Sequence, residues 1–181
     1  MSCDGTDFKI AEYGPKFSSH KYAKKSALKY EVCLCILTGD IVWINGPYLV
    51  SVHSIVIFRD CLLSHLADNE RVEADDGYIG EAPYYVKCPK CITNPQETLA
   101  MQARIRSRQE TVNGRFKNWG VLRQRYRHEI IHHGDHFRCV AVLTQLSINA
   151  EEKLFSTGYR DPPYTNTAYD VESDDDDDDD L

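Results

Sequence analysis

Three acidic residues stand where carboxylates could do chemistry together: Asp4, Asp75 and Glu110. Glu110 is the single acid among eight lysines and arginines in residues 104–127. Carboxylates that meet in a fold repel one another and raise each other's pKa unless a cation neutralises them. Hard oxygen ligands of this kind suit Mg²⁺ or Mn²⁺. If the three residues converge, they therefore predict a divalent-metal site.

The first of these acids lies on a predicted strand near the start of the chain. Residues 3–11 (CDGTDFKIA) alternate polar and apolar side chains with the period of a half-buried strand. Asp4 shares its parity with Phe8 and Ile10, which places its carboxylate at the rim of the buried face. An unpaired charge is costly there. The alternative interpretation is a turn aspartate ahead of Gly5.

Two β-rich runs and a helix come next. Residues 28–37 and 41–44 predict strands, and the turn Thr38-Gly39-Asp40 joins them as a hairpin. Gly46-Pro47 is expected to end the second strand, because proline cannot donate to a ladder. Residues 52–66 predict a helix from apolar side chains at helical spacing, which are Ile55, Phe58, Leu62 and Leu66. A loop with four lysines, at residues 14–25, precedes the hairpin.

The other two acids lie on a short strand and on a long helix. Residues 71–75 and 84–87 predict brief strands, and Asp75 ends the first. Residues 96–117 predict a helix whose apolar stripe is Ile105, Val112, Phe116 and Trp119. Steps of 100° per residue put a polar set on a different stripe, namely Arg106, Glu110, Asn113 and Lys117. Glu110 therefore need not be buried in the core.

The order of elements predicts the class of fold. Residues 133–149 form the last predicted helix, with its inward side chains at Phe137, Val140, Ala141, Leu143 and Leu146. Three strands, a helix, two strands and two helices indicate a mixed α/β sheet covered by helices. Residues 1–160 are expected to form one domain. Residues 161–181 turn polar and then acidic, so they are expected to be a disordered tail.

Composition narrows the class of protein. A chain of 181 residues can bury a real core. Eight of its 28 acids lie at Glu172 and in residues 174–180, so residues 1–170 carry 21 bases against 20 acids. A near-neutral body with a basic centre favours a polyanionic partner. No apolar run approaches the ~20 residues that span a bilayer. Seven irregularly spaced cysteines favour a reducing compartment.

Several motifs together resemble one family. Asp4-Gly5-Thr6, Asp75-Asp76-Gly77-Tyr78 and Arg108-Gln109-Glu110 are similar to the catalytic core of a DDE-type transposase. The class that matches best is PIF/Harbinger-like, which also occurs as DDE superfamily endonucleases. Thirty-four residues separate Asp75 from Glu110, and seventy separate Asp4 from Asp75. The resemblance covers roughly residues 2–160 through further runs at residues 39–43, 57–60, 114–117 and 137–142.

The resemblance implies a fold, an activity and a set of site residues. The fold would be RNase H-like, with three antiparallel strands followed by parallel ones. The activity would be metal-dependent DNA cleavage and strand transfer, with Asp4 bridging two Mg²⁺ or Mn²⁺ ions and Asp75 and Glu110 each completing one. DNA backbone contacts would come from Arg106, Arg108, Arg115 and Lys117. A DNA substrate also implies residence in the nucleus.

The sequence departs from the family pattern at three points. Ser54 stands where these families usually carry an acid before the Ile-Phe-Arg run. The first strand begins almost at Met1, so we expect no DNA-recognition domain in this chain, and a partner subunit is a candidate for that role. Asp76 beside Asp75 leaves the ligand ambiguous by one residue. Strand alternation allows only one of the two to face the site.

Two other readings compete with the nuclease. The first is a catalytically decayed or domesticated relic of the same domain that binds DNA or protein. The second is a zinc-stabilised interaction module, because Cys88 and Cys91 form a C-x-x-C pair and four histidines follow at His128, His132, His133 and His136. The histidines have a simpler interpretation as a loop and a helix start, with Asp135 as the cap.

Overall fold

The computed structural model describes residues 1–11, 26–91, 96–150 and 152–159. The loop lysines of residues 14–25 and the acidic tail of residues 161–181 lie outside these described residues, so the expectations for both stay predictions. Among the helices in the described ranges, none combines the length and apolar character that crossing a bilayer requires.

Five strands form one mixed sheet in the order β3-β2-β1-β4-β5. The antiparallel part consists of β1 (Ser2–Lys9), β2 (Ala27–Leu34) and β3 (Ile41–Leu49). β4 (Val72–Glu73) pairs in parallel with β1, and β5 (Val86–Lys87) pairs in parallel with β4. The predicted mixed sheet, antiparallel and then parallel, is confirmed.

Helices cover the sheet in the predicted order. α1 (Ser54–Asp60) lies between β3 and β4, and α2 (Gln96–Phe116) follows β5. The short α3 (Gly120–Arg123), which the sequence pattern did not reveal, precedes α4 (His133–Ala150). The long helix and the last helix begin where they were predicted to begin, because the 3.6-residue period is clear over that length.

The two faces of the sheet carry separate cores. Successive residues of β1 point to opposite faces. Phe8 packs in the core that β1 and β2 form with α2 and α4, which also contains Tyr30, Val32, Val112, Phe116 and Phe137. Cys3 packs in the second core with Phe58 of α1 and with Cys33, Val72, Tyr78 and Cys88. Asp4 has the parity of Phe8, so its side chain lies on the face that α2 covers.

One predicted strand end is wrong. β3 does not stop at Gly46-Pro47 but continues to Leu49. Two facts explain this continuation. β3 is an edge strand, where the missing N–H of proline is tolerated, and the β2–β3 register shifts between Lys29 and Glu31, as at a bulge.

Some predicted core residues and one helix end are also wrong. Leu143 and Leu146 are 43% and 57% exposed. The buried line of α4 instead follows Phe137, Val140, Ala141, Thr144 and Ile148. Trp119 is exposed because α2 ends at Phe116, before the apolar stripe could reach it. The helix predicted for residues 52–66 breaks at Cys61 and resumes as a 3₁₀ turn, Leu62–His65.

Candidate active site

The parallel pairing of β1 and β4 sets Asp4 beside Asp75. Ser2 lies opposite Glu73 in this pairing, and each acid follows two residues later in its own chain segment. Neighbouring strands lie about 4.8 Å apart, so the two backbones pass the same level of the sheet at close range. Two acids with seventy residues between them in sequence are thereby brought to one place.

Asp75 stands just beyond the end of β4, at the start of a 3₁₀ turn, Asp76–Glu81. Its Oδ1 accepts a hydrogen bond from the backbone N–H of Gly77 over 2.9 Å. This cap explains why an aspartate followed by Asp-Gly stands here, since such a side chain satisfies an otherwise unpaired donor.

α2 runs alongside β1 in the same direction and supplies the third acid. Ser2 Oγ donates to Oε1 of Gln109 over 3.0 Å, and Asn113 Nδ2 donates to Oδ2 of Asp4 over 2.9 Å. Glu110 lies between these two contacts on the helix. Both anchors are buried. They fix the height and the rotation of α2 against β1, and so they fix the position of Glu110 near Asp4.

The three predicted acids line one pocket. Its wall is formed by Ser2, Cys3, Asp4, Glu73, Asp75, Ile105, Arg106, Gln109 and Glu110. Four of these nine residues are acidic, and Arg106 is the one cation. Sequence reasoning missed Glu73, which is buried and whose Oε2 accepts a hydrogen bond from Gln102 Nε2 over 3.0 Å. The signal for Glu73 was its position two residues before Asp75.

The electrostatics of the pocket are those of crowded carboxylates. Burial, and after it the neighbouring charge of Asp75, raises the pKa of Asp4 to about 6. The hydrogen bond from the Gly5 backbone N–H opposes this increase, whereas the charge of Glu110 adds to it. The charges of both Asp75 and Glu110 therefore act on the pKa of Asp4.

The structure distinguishes Asp75 from Asp76. Asp76 points toward Lys90, with Oδ1 accepting from the Lys90 backbone N–H over 3.3 Å and Oδ2 lying 3.6 Å from its Nζ. Asp75 faces the pocket. Both residues lie beyond β4, and the 3₁₀ turn that begins at Asp76, rather than strand alternation, directs the two carboxylates to different partners.

The donor set fits a hard divalent cation in its chemistry. In the described part of the chain, no three His, Cys, Asp or Glu side chains are grouped so that together they could hold a metal ion. An ion here would instead be held by a pair of carboxylates, with water and a substrate phosphate completing its shell, as Mg²⁺ commonly is. Each oxygen of Asp4 accepts one hydrogen bond, from Gly5 or from Asn113. Since each carboxylate oxygen has two lone pairs, one on each oxygen remains for a cation.

The four basic residues predicted to contact DNA have different environments. Arg106 lines the pocket, and Lys117 is exposed with its Nζ 5.8 Å from the centre of the Phe8 ring. Arg115 is mostly buried and donates to the backbone oxygen of Glu152 over 2.6 Å.

Arg108 was assigned wrongly. Its residue surface is only 1% exposed, and its guanidinium donates to the backbone oxygens of Cys35 and Ile36 where β2 ends. A side chain enclosed in this way cannot reach a DNA phosphate. The stripe that carries Arg108 faces the β2–β3 turn, whereas the stripe that carries Arg106 and Glu110 faces the pocket.

The zinc alternative gains no support from the described residues. His133 Nδ1 pairs with the Tyr30 hydroxyl at 2.7 Å, and His136 Nδ1 pairs with the Tyr126 hydroxyl at 2.8 Å. Both histidines pack against the core that contains Phe8, whereas Cys88 is buried in the core on the other face of the sheet. Burial lowers the pKa of His133 to about 4, so it is neutral at physiological pH. The side chain of Cys91 lies outside the described set.

Ser54 lies close to the site although it does not line it. Ser54 Oγ would be 3.3 Å from a Cβ built on Gly5, the residue that follows Asp4. The position at which the family usually carries an acid therefore lies behind the strand that carries Asp4, on its other face, at the first residue of α1.

A mixed sheet with acids on β1, after β4 and on the long helix defines a DDE-type transposase domain of RNase H-like fold. The family model described as DDE superfamily endonuclease matches residues 3–145, well over half of the chain. The chain therefore belongs to the DDE superfamily endonuclease family, which implies DNA as the substrate. Comparison with curated proteins and with solved structures finds no match.

Proposed function

We propose that this chain cleaves phosphodiester bonds in DNA, with Asp4, Asp75 and Glu110 as its catalytic carboxylates. The observation that carries the proposal is that these three side chains, from three separate elements, line a single pocket. Membership of the endonuclease family supports the same reaction. Burial and, second to it, the charge of Asp75 raise the pKa of Asp4, and a bound cation would relieve that charge repulsion.

Two Mg²⁺ or Mn²⁺ ions are the cofactor that this donor set favours. Asp4, Asp75 and Glu110 are the residues that would hold them. When bound, such ions would lower the pKa of an attacking water or 3′-hydroxyl and would stabilise the charge on the leaving oxygen.

The protein's own groups orient and neutralise the reactants. Gly5 and Asn113 hold the two oxygens of Asp4 through one hydrogen bond each. The Gly77 backbone N–H holds Asp75. Arg106, the cation of the pocket wall, would bind a non-bridging phosphate oxygen through its planar guanidinium.

The proposed activity extends from DNA cleavage to strand transfer. Strand transfer would use this pocket, with a DNA 3′-hydroxyl in place of water. From the motif resemblance we also infer three further properties. They are the PIF/Harbinger-like subclass, a partner subunit that recognises the transposon ends, and residence in the nucleus.

Nicking of supercoiled plasmid DNA tests the activity. The full-length protein is expected to convert supercoiled plasmid to the nicked form with Mn²⁺ or Mg²⁺, and Glu110→Gln is expected to reduce the rate by at least a hundredfold. Glu110 is exposed, so the substitution should leave the fold intact. Glu129→Gln, at an exposed glutamate outside the pocket, is the matched control and should retain the wild-type rate.

A non-catalytic DNA-binding domain is the second candidate, and Ser54 favours it. Ser54 lies against Gly5 on the face of β1 opposite the Asp4 side chain, so a serine there removes a negative charge from behind the strand that carries Asp4. If neither wild type nor Glu110→Gln nicks DNA above the protein-free background while both bind it, the domain is a binding relic. Ser54→Asp would then test whether restoring the charge restores cleavage.

A further inference from the structure

The side chain of Glu73 links β4 to α2 beside the candidate active site. Its Oε2 accepts a hydrogen bond from Gln102 Nε2 over 3.0 Å. Both residues are buried, with 6% of Glu73 and 2% of Gln102 exposed. Glu73 lines the pocket, and Gln102 lies one helical turn before Arg106, which also lines it. The hydrogen bond therefore joins the short strand to the long helix at the pocket wall.

The burial of Gln102 is not explained by stability. Its Oε1 is buried and has no hydrogen-bond partner among the described residues. A buried polar atom without a partner destabilises a fold, and an apolar side chain of similar size would fill the same space without that loss. The hydrogen bond to Glu73 is what an apolar side chain could not supply. We therefore interpret Gln102 as the partner of Glu73.

β4 leads directly to Asp75, yet the strand itself is two residues long. Backbone hydrogen bonds join it to its neighbours in the sheet, among them the bond from the Glu73 N–H to the Met1 oxygen over 2.9 Å. Such bonds lie in the plane of the sheet, so they do not set the distance from β4 to α2. The Glu73 side chain points to the face that α2 covers, because its partner in the register is Ser2, whose hydroxyl contacts α2. Glu73 is thus placed to link the strand that leads to Asp75 with the helix.

Two further amides of α2 hold the same side of the helix against the sheet. Gln109 and Asn113 bond to side chains of β1 over 3.0 Å and 2.9 Å. Steps of 100° per residue put Gln102, Gln109 and Asn113 within about 40° of one another around the helix. Glu110 follows the second of these three amides. The bonds of Gln109 and Asn113 set Glu110 relative to β1, and the bond of Gln102 sets the same helix relative to β4.

We propose that Glu73 is a positioning residue of the candidate metal site, which holds Asp75 at a fixed distance from Glu110 through its hydrogen bond with Gln102. This inference rests on the proposed function, because the divalent ions that Asp75 and Glu110 would hold are part of it. Side chains that orient metal-binding groups typically contribute ten- to a hundredfold to metal affinity. Glu73 acts through the oxygen that accepts the hydrogen bond and not through its charge.

The test measures metal affinity without DNA. The full-length protein is titrated with MnCl₂ in a calorimeter. Glu73→Met and Gln102→Met each remove the hydrogen bond while filling the space, and each is expected to lower the affinity for Mn²⁺ about tenfold. The double variant should lose no more than either single one, because all three lack the same bond. Glu73→Gln keeps an acceptor oxygen without the charge, so its affinity should stay within about threefold of the wild-type value.

Gln145→Met is the matched control. Gln145 Nε2 donates to Asp40 Oδ1 over 2.7 Å, so it links α4 to the β2–β3 turn with the same kind of bond, and neither residue lines the pocket. The control variant should bind Mn²⁺ like the wild type. Urea denaturation of Gln145→Met and Gln102→Met compares their stability. A metal affinity that falls in both variants in proportion to stability would contradict a positioning role.

The outcomes separate this inference from the proposed function. Wild-type affinity in Gln102→Met, or losses that add in the double variant, overturn the positioning role of Glu73. A loss in Glu73→Gln as large as that in Glu73→Met also overturns it, because the charge would then be what matters. A protein that nicks DNA while Gln102→Met binds Mn²⁺ normally keeps its function and loses this role. A protein whose variants lose affinity as expected but that never nicks DNA keeps the role and loses the proposed activity.

Discussion

The Asn113 amide donates a hydrogen bond from Nδ2 to Oδ2 of Asp4 over 2.9 Å, across 109 positions of sequence. Asn113 is buried and lies one turn beyond Glu110 on α2. The Gly5 backbone N–H holds the other oxygen of Asp4 over 2.7 Å. The two contacts orient the plane of the Asp4 carboxylate. Asn113 thereby links Asp4 on β1 to α2, the helix that carries Glu110.

Removal of Asn113 is expected to weaken metal binding more than it weakens the fold. Asn113→Ala removes the hydrogen bond to one oxygen of Asp4, so the carboxylate group can rotate. Loss of a side chain that orients a metal-binding carboxylate typically lowers the metal affinity ten- to a hundredfold. We expect the apparent affinity for Mn²⁺, measured by calorimetry, to fall about tenfold. The Mn²⁺ concentration for half-maximal nicking should increase in parallel.

Thr111→Ala is the control for that prediction. Thr111 lies on the same helix, and its hydroxyl donates only to the Ser107 backbone oxygen over 2.9 Å. The variant should bind Mn²⁺ like the wild type. Equal Mn²⁺ affinities for Asn113→Ala and wild type would show that Asn113 has no part in orienting Asp4.

Gly77 leaves space for the carboxylate of Asp75. A Cβ on Gly77 would lie 2.8 Å from Asp75 Oδ1, closer than real contacts allow. Gly77→Ala should therefore push Asp75 from its cap and reduce the nicking rate by about tenfold or more. Asp75 is a surface side chain that can move, so the midpoint of thermal unfolding should change little.

Gly114 offers the contrasting substitution. Its Cβ would meet nothing within 4 Å, and it lies in the last turn of α2. Gly114→Ala should raise the free energy of unfolding by about 0.5 kcal/mol, since alanine loses less backbone entropy in a helix. A loss of cleavage in both glycine variants would contradict the specific role of Gly77.

Substitution of Arg106 is expected to change the nicking rate, whereas substitution of Arg108 is expected to change the free energy of unfolding. Arg108→Met leaves the carbonyls of Cys35 and Ile36 without their guanidinium donor, and unfolding should become easier by about 2 kcal/mol or more. Arg106→Met should instead lower the nicking rate with little effect on unfolding. Urea denaturation and the plasmid assay on both variants measure the contrast. A weakened DNA affinity in a fully stable Arg108→Met protein would contradict the assigned role.

Glu31 is expected to make the stability fall as the pH rises. It is 1% exposed, its Oε2 accepts from Trp43 Nε1 over 3.2 Å, and burial raises its pKa to about 7. The folded state therefore binds a proton more tightly than the unfolded chain, in which the usual value is 4.5. Its contribution is fully present below about pH 4.5 and is lost as the pH rises through about 7.

Glu31→Gln removes this dependence. Relative to wild type, the variant should gain roughly 2 kcal/mol in unfolding free energy at pH 8, with the gain vanishing toward pH 4.5. Urea denaturation at several pH values measures it, and Glu129→Gln at an exposed site should track the wild type. Stability curves of Glu31→Gln and wild type that run parallel from pH 4.5 to 8 would exclude a neutral buried Glu31.

Local patterns predicted the elements well where a single face decides burial. The alternation in β1 fixed the face of Phe8 and Ile10, and both are buried. Local sequence patterns failed where the position of a strand in the sheet, or the packing of neighbouring elements, decides which residues are paired or buried. Pro47 is tolerated because β3 happens to be an edge strand, and Leu146 is exposed because the buried line of α4 passes through Ala141 and Thr144.

For the site, the sequence determined which acids to consider, because the types and spacing of Asp4, Asp75 and Glu110 are local facts of the chain. Only the tertiary structure decided their surroundings. The parallel β1–β4 register brings Asp4 level with Asp75, and the rotation of α2 turns Glu110 toward the pocket while it buries Arg108. The period of a sequence gives the relative directions of the side chains around one helix. Only the packing of that helix against the sheet decides which of those side chains are buried and which are exposed to solvent.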